Sequence, residues 1–322
     1  MTYKKIAKIA NVSVSTVSKA LSGSREISRE LSQKIIEIAI ACGYYKEKNK
    51  RKIEYAKNEA FTIAIICPEI ISIAYARDIT NIKKEVEARG GLTSVYMYDF
   101  DPDKLNTIIE MITVRGCADG IIIFPVHDFF TKSSIPIVAI SSTSIVGCDT
   151  VSCDVDAYFD EMIKYLQCRG HTRIAFVGEQ NTMIKLEAYK KSLLKSGLPF
   201  TEDDVYILDE RFEKTGYLAG KKMLQRGSIP PAIICAYDEI ALALIQSLSE
   251  EGVKIPDEVN ILGINDIPTS RYAQIPLTTV RTFRNEQSAI AVNLLYNRIF
   301  DCSKAIQHIT VGYELIKRQS TL

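Results

Sequence analysis

Ser13, Ser15, Thr16, Ser18 and Lys19 crowd five hydrogen-bonding side chains into seven residues, and Val14 adds a small apolar one among them. Short hydroxyls, an amine and a methyl-bearing side chain at helical spacing suit contact with base edges in the major groove of DNA. The frame that would position them is the run YKKIAKIANVSVSTVSKALS, residues 3 to 22, which predicts two short helices joined by a tight turn. In the first helix Ile6, Ala7, Ile9 and Ala10 form a small apolar face, while Lys4, Lys5 and Lys8 stay in water. Asn11-Val12-Ser13 makes the turn, and Ser13 is placed to cap a helix running from Val14 to Leu21. Val17, Ala20 and Leu21 then pack inward, leaving Val14, Ser15, Ser18 and Lys19 outside, where a helix entering a groove meets bases. A third helix is expected from Ser28 to Cys42, with Leu31, Ile35, Ile38, Ala39 and Cys42 at helical spacing and Gly43 as its stop. A small three-helix packing unit with no DNA role would share much of this pattern.

Charge is distributed to match the first reading. Residues 1 to 57 carry 13 Lys/Arg and 5 Asp/Glu, a charge of +8, while the remainder carries 27 against 34, or −7. The basic end is the expected phosphate-binding end. At 322 residues and 47% hydrophobic, the chain has material for such a headpiece plus two lobes of ordinary size. No apolar N-terminal leader and no bilayer-length run is present, so a cytoplasmic protein with no membrane partner is expected. The eight cysteines are scattered without a Cys-x-x-Cys pair, and only His127, His171 and His308 could help them bind metal, so no metal or other cofactor is expected.

From Phe61 onward short Ile/Val-rich runs alternate with segments of helical period, the pattern of an α/β fold. Strands are predicted at 61–67, 92–98, 120–124, 135–140, 173–178, 232–237 and 259–264. Helices are predicted near 75–89, 103–115, 156–169, 185–196, 215–226, 238–251 and 285–300. Continuous apolar strands imply parallel sheets covered on both faces, and their number implies two lobes. A nucleotide-dependent enzyme could also be α/β, but no phosphate loop is present. Gly216-Tyr217-Leu218-Ala219-Gly220-Lys221-Lys222 is one residue short of the spacing, lacks the final Ser/Thr and falls inside a predicted helix. His171 reads as structural, and no nucleophile motif suggests an enzyme.

The run from Asn11 to Tyr44 resembles the headpiece of the LacI/GalR family of bacterial repressors, through Val12, Ser13, Thr16, Val17 and Ser18, then Ile27-Ser28, then Cys42-Gly43-Tyr44. The resemblance continues through Asp119-Gly120-Ile121-Ile122, Ile135-Pro136-Ile137-Val138, Asp154, the run Gly170 to Phe176, Pro256 to Val259, Pro276 to Val280 and Glu314 to Thr321. It implies a headpiece over 1–45, a hinge over 46–60 and a two-lobed core over 61–322 that is similar in fold to periplasmic sugar-binding proteins. The implied N-lobe takes about 61–152 and 284–312, and the C-lobe about 153–283 and 313–322.

For DNA contact the resemblance implies Ser13, Val14, Ser15, Thr16, Ser18, Lys19 and Ser22 from the headpiece and Arg51 from the hinge. Ile53 falls where the family wedges an apolar side chain into the minor groove, an insertion that unstacks a base step and kinks the duplex. The chain departs from the family at Lys46, where Pro is usual, at Lys50, where a small residue is usual, and at Leu31-Ser32, where Thr-Arg is frequent. Family cleft positions map to Tyr75, Ser141, Lys185, Arg211 or its neighbour Phe212, Tyr237, Asp238 and Asn265. Ser141 and Arg211 could equally serve as a cap or an interlobe hydrogen bond with no ligand, an alternative that weighs less for Asp238 and Asn265. Carboxylates and amides in such a cleft suit sugar hydroxyls, which both donate and accept. Lys185, Ser141, Tyr237 and Asn265 replace a more frequent Arg, Asp, Asn and Asp. Residues 264 to 281 look closer to regulators of the evolved β-galactosidase type, which implies a galactoside effector.

The expected protein is a homodimeric repressor of a carbohydrate-utilisation operon, binding double-stranded operator DNA and controlled by a small ligand between its lobes. Inducer and corepressor would use the same cleft, so the sign of the coupling stays open. A two-lobed solute-binding protein is the alternative, and it would have no use for residues 1 to 57. With no leucine heptad after the core, dimers rather than tetramers are expected.

Overall fold

The computed structural model describes residues 3–21, 26–41, 61–126, 129, 133–300 and 305–321. These fall into two compact units, Met1–Ile63 with Val86–Thr93 and Ala64–Glu85 with Ser94–Leu322.

In the first unit, helix α1 (Tyr3–Ala10), α2 (Val14–Leu21) and α3 (Arg29–Ala41) pack around Ile6, Ala7, Ala10, Val17, Ala20, Ile35 and Ala39. Val12, Ile27, Leu31 and Ile38 close the edges of this core. Ile9 does not join it: at 100° per residue it falls to the rim of the arc held by Ile6, Ala7 and Ala10, and it is 52% exposed. The turn works through Asn11, whose φ of 56° is a left-handed conformation that Asn tolerates, and the Ser13 hydroxyl accepts the Thr16 amide at 3.0 Å. Ser28 caps α3 in the same way, accepting from the Leu31 amide. The side chain of Leu21, and all of Cys42 and Gly43, lie outside the described residues.

The rest of the chain is mixed α/β, with helices alternating with the strands of two six-stranded sheets. The first sheet contains β1 (Thr62–Cys67), β2 (Leu92–Met97), β3 (Gly120–Ile123), β4 (Ile137–Ile140), β5 (Asp149–Cys153) and β11 (His308–Val311), in the order β11-β5-β4-β3-β1-β2. The second contains β6 (Ile174–Glu179), β7 (Val205–Leu208), β8 (Ala232–Cys235), β9 (Asn260–Ile264), β10 (Thr278–Arg281) and β12 (Glu314–Ile316), in the order β12-β10-β9-β8-β6-β7. Chain crossings between the sheets fall after β5, β10 and β11. Pairing of β3 with β4, β4 with β5, β6 with β7 and β8 with β9 is parallel, in keeping with the continuous apolar runs of β3, β4, β6 and β8. The pairing of β12 with β10 is antiparallel, a difference from the all-parallel expectation: only Gly312 and Tyr313 separate β11 from β12, so the chain enters the second sheet from the end where its other strands finish.

Helices α4 (Ile73–Ala88), α5 (Pro102–Arg115), α6 (Val155–Gln167), α7 (Met183–Lys195), α8 (Phe212–Arg226), α9 (Asp238–Ser249) and α11 (Arg284–Phe300) connect these strands, with a short α10 at Pro268–Tyr272. Asp154, one of the family positions, caps α6 by accepting the Ala157 amide at 2.9 Å. Asp101 caps α5 ahead of Pro102, and Gly116 ends that helix in the left-handed conformation. Gly216 has a steric cause: a Cβ there would lie 2.0 Å from the Ile240 carbonyl oxygen, so α8 and α9 meet backbone to backbone. The second lobe's core runs through Phe159, Phe176, Tyr189 and Leu244 on both faces of its sheet. Among the described residues, no helix is long and apolar enough to cross a membrane.

Candidate functional site

The headpiece presents one exposed face on α2. Val17 and Ala20 are buried, which turns Ser15, Ser18 and Lys19 to solvent together with Val14, itself 43% exposed. The Ser13 hydroxyl lies 2.7 Å from that of Ser15 and 2.8 Å from that of Thr16, so the cap and its neighbours form one small polar cluster. Ser13 is committed to capping and Thr16 is half-buried, which makes both of them holders of the helix start. The Lys19 ammonium is paired with Glu26. A pair this exposed contributes about 0 to 1 kcal/mol, so the lysine can exchange partners at little cost. Ser22, Arg51 and Ile53 lie outside the described residues.

In the core, the loops at the carboxyl ends of strands from both sheets surround a cavity of about 460 Å³. Tyr75, Ser141, Lys185, Arg211, Tyr237 and Asn265 all line it, brought there by six different loops or helix starts. This is where ligands of open α/β sheets bind, because strand ends deliver side chains and free backbone groups to one place. Phe212, Phe100 and Arg284 also line it.

Asp238 does not line this cavity, contrary to the sequence-based expectation. It is fully buried, and its carboxylate accepts from the Ile267 amide at 2.9 Å, the Ser270 hydroxyl at 2.7 Å and the Thr279 hydroxyl at 2.5 Å. The cause is local: a Cβ at Gly263 would lie 2.2 Å from Asp238 Oδ1, so the glycine lets the carboxylate sink beneath β9. Asp238 therefore fixes the loop that carries Asn265. Burial outweighs these three hydrogen bonds and pushes the carboxyl up to about 6.

Arg211 bridges the two lobes. Its guanidinium forms a bidentate pair with Glu69, at 3.0 and 2.7 Å, and its Nε lies 2.8 Å from Glu179 Oε1, off the hydrogen-bonding direction. Glu69 follows β1 of the first sheet, whereas Glu179 ends β6 and Arg211 precedes α8 in the second lobe. Glu179 also accepts the Phe212 amide at 3.1 Å, and that contact holds Phe212 at a φ of 50°, an uncommon conformation for a bulky residue. Desolvation raises Glu179 above the ordinary carboxylate range despite the nearby guanidinium.

Lys185, in the first turn of α7, donates to the Ala236 carbonyl at 2.7 Å and stands 4.1 Å from the centroid of the Tyr237 ring. No carboxylate among the described residues pairs with it. Burial, and then the charge of Arg284, bring its ammonium down to about 7. Arg284 is anchored to Asp78 through Nε and Nη2. Glu69, Glu179 and Arg284 were not predicted as site residues. Arg284 follows β10, a strand whose threonines hid it, while Glu69 could have been found as a charge directly after an apolar strand.

Residues 2–47 match the family described as Bacterial regulatory proteins, lacI family, and residues 163–321 match the Periplasmic binding protein-like domain. A relative from Histophilus somni, HTH-type transcriptional repressor PurR, is 25% identical over 334 residues, covering 99% of this chain and 98% of its own. The lac repressor dimer bound to operator and the anti-inducer ONPF is similar in fold, with a TM-score of 0.75 at 18% identity over 100% of this chain and 99% of that one. A LacI family regulator from Lactobacillus casei with bound sucrose gives a TM-score of 0.70 at 22% identity, over 80% of this chain and 99% of that one.

Proposed function

We propose, from the premise that the chain belongs to the LacI family of bacterial regulatory proteins, that it is a cytoplasmic, homodimeric repressor of a carbohydrate-utilisation operon. The family membership makes it a DNA-binding transcriptional regulator with a ligand-binding core. The observation that carries the reading is the exposed face of α2, with Ser15, Ser18 and Lys19 held outward by Val17 and Ala20. A dimer presents two such helices, which calls for a pseudo-palindromic operator. In this reading Ser22 and Arg51 add contacts beside the helix and Ile53 supplies the minor-groove wedge, while binding in the cleft changes how the lobes close and so changes operator affinity. Tyr75, Ser141, Lys185, Tyr237 and Asn265 are the proposed ligand contacts, and Arg211 is the proposed interlobe tie. A sugar-derived ligand is supported by the cavity size, its aromatic walls and the sucrose in the Lactobacillus casei regulator. Galactose is the first sugar body to test.

Lys19→Ala tests the reading helix. The substitution is expected to weaken operator binding by about 1 to 3 kcal/mol and to relax preference at a single base pair. Anisotropy titrations against operators altered one position at a time measure both effects. Equal loss on every sequence would instead assign Lys19 to a phosphate and move base reading to Ser15 and Ser18.

A further inference from the structure

The composition of the cavity wall is one-sided. Among the described residues, three cationic side chains line it, Lys185, Arg211 and Arg284, and no aspartate or glutamate does. Arg211 is answered from behind by Glu69 and Glu179. Arg284 is answered on one edge by Asp78, leaving Nη1 with no partner among the described residues. Lys185 spends one of its three donors on the Ala236 carbonyl and rests on an aromatic ring. Two cations that repel each other therefore face one cavity with unused donors, beside the amides of Gln180, Asn181 and Asn265. A neutral sugar would leave that repulsion in place, whereas an anionic oxygen cluster would relieve it and accept the unused N–H groups.

We propose that the ligand of this cleft carries a carboxylate or phosphate group, held between Lys185 and Arg284, on a polyhydroxylated body facing the amides and aromatic rings. The proposal rests on the cleft being the effector site and names the chemical class that site takes. It also departs from the sequence-based expectation of a neutral galactoside, which counted on carboxylates that the described residues of the cavity wall do not include.

A pH signature follows. Burial and Arg284 hold Lys185 near 7, and a bound anion would fix its proton, so binding takes up protons around neutrality. Affinity for a carboxylate ligand should fall above pH 7, by at most about tenfold per unit. The charges of Glu239, Asp238 and Glu179 also act on this ammonium, which stands over the Tyr237 ring, and Asp238 and Glu239 are themselves pushed up to about 6 and about 7. Their contribution persists in Lys185→Met, so the difference between the two proteins isolates the lysine.

The test compares galactose, galactonate and galactose 6-phosphate against the full chain by calorimetry. One or both anions should bind at least about tenfold more tightly than galactose, and Lys185→Met should abolish most of that preference while Lys185→Arg keeps it. A response to galactonate alone assigns a sugar acid, and a response to the phosphate alone assigns a phosphate ester. Equal binding of all three, no binding by either anion, or an anion preference untouched by Lys185→Met would overturn the proposal. Ser141→Trp, which fills the cleft, separates the two levels of failure. If galactose binds the parent but not Ser141→Trp, the cleft is the ligand site and only the anion claim falls. If ligands bind both equally, the cleft reading falls as well.

Discussion

Replacing Asp238 by alanine is expected to lower folding stability by about 1 to 3 kcal/mol, the cost of a buried donor left without an acceptor. The three donors are the Ile267 amide and the hydroxyls of Ser270 and Thr279, all at positions 2% exposed or less. The hydroxyls can turn toward other acceptors, but the amide cannot. Asparagine is a different matter. Its carbonyl oxygen can take the place of Oδ2, accepting from Ile267 and Ser270, while its NH₂ meets a Thr279 hydroxyl that is able to accept. Asp238→Asn should therefore cost less than about 1.5 kcal/mol. It should also flatten the pH dependence. The folded-state carboxyl is held above its ordinary value, at about 6, so its stabilising contribution is full below about pH 4 and is lost as pH rises through 6. Urea denaturation from pH 4 to 8 measures both variants, and an alanine loss below about 1 kcal/mol would remove Asp238 from its anchoring role.

The second large effect belongs to Arg211. Methionine there would leave Glu69 and Glu179, whose side chains are 12% and 1% exposed, without their shared cation. Breaking one side of a buried ion pair costs about 3 to 5 kcal/mol, and the partial exposure of Arg211 places the expectation at the lower end. Because Glu69 and Arg211 belong to different lobes, the loss should also loosen lobe closure, visible as a larger radius of gyration by small-angle scattering. Glu69→Gln keeps a hydrogen-bond acceptor and should cost less than half as much. A Glu69/Arg211 double-mutant cycle with no coupling would show that the bridge does not hold the lobes together.

Much of the fold is legible in the amino-acid sequence. Helix positions follow from 3.6-residue periodicity and from caps such as Ser13 and Ser28, and the central strands stand out as unbroken Ile/Val runs. The strands not foreseen are short or threonine-rich: Asp149–Cys153, Val205–Leu208, Thr278–Arg281, His308–Val311 and Glu314–Ile316. Each depends on a neighbouring strand for its register, information that no local pattern carries. Six of the seven cleft residues mapped by resemblance reach one cavity because they follow strand ends. Asp238 fails because a position code cannot tell whether a carboxylate points into a cleft or sinks into a glycine's vacated space. Glu179 and Arg284 are invisible for the opposite reason: their importance arises from pairs separated by more than 30, and in one case more than 200, residues.

Equilibrium binding of the full chain to duplexes selected from a random library, repeated across salt concentrations, tests the account of a dimeric DNA-reading regulator most directly. Two chains should occupy one pseudo-palindromic duplex and prefer it about 1,000-fold or more over random DNA. Log affinity should fall against log salt with a slope of about −0.9 per phosphate neutralised. Binding that favours no duplex, or that ignores salt, would contradict it.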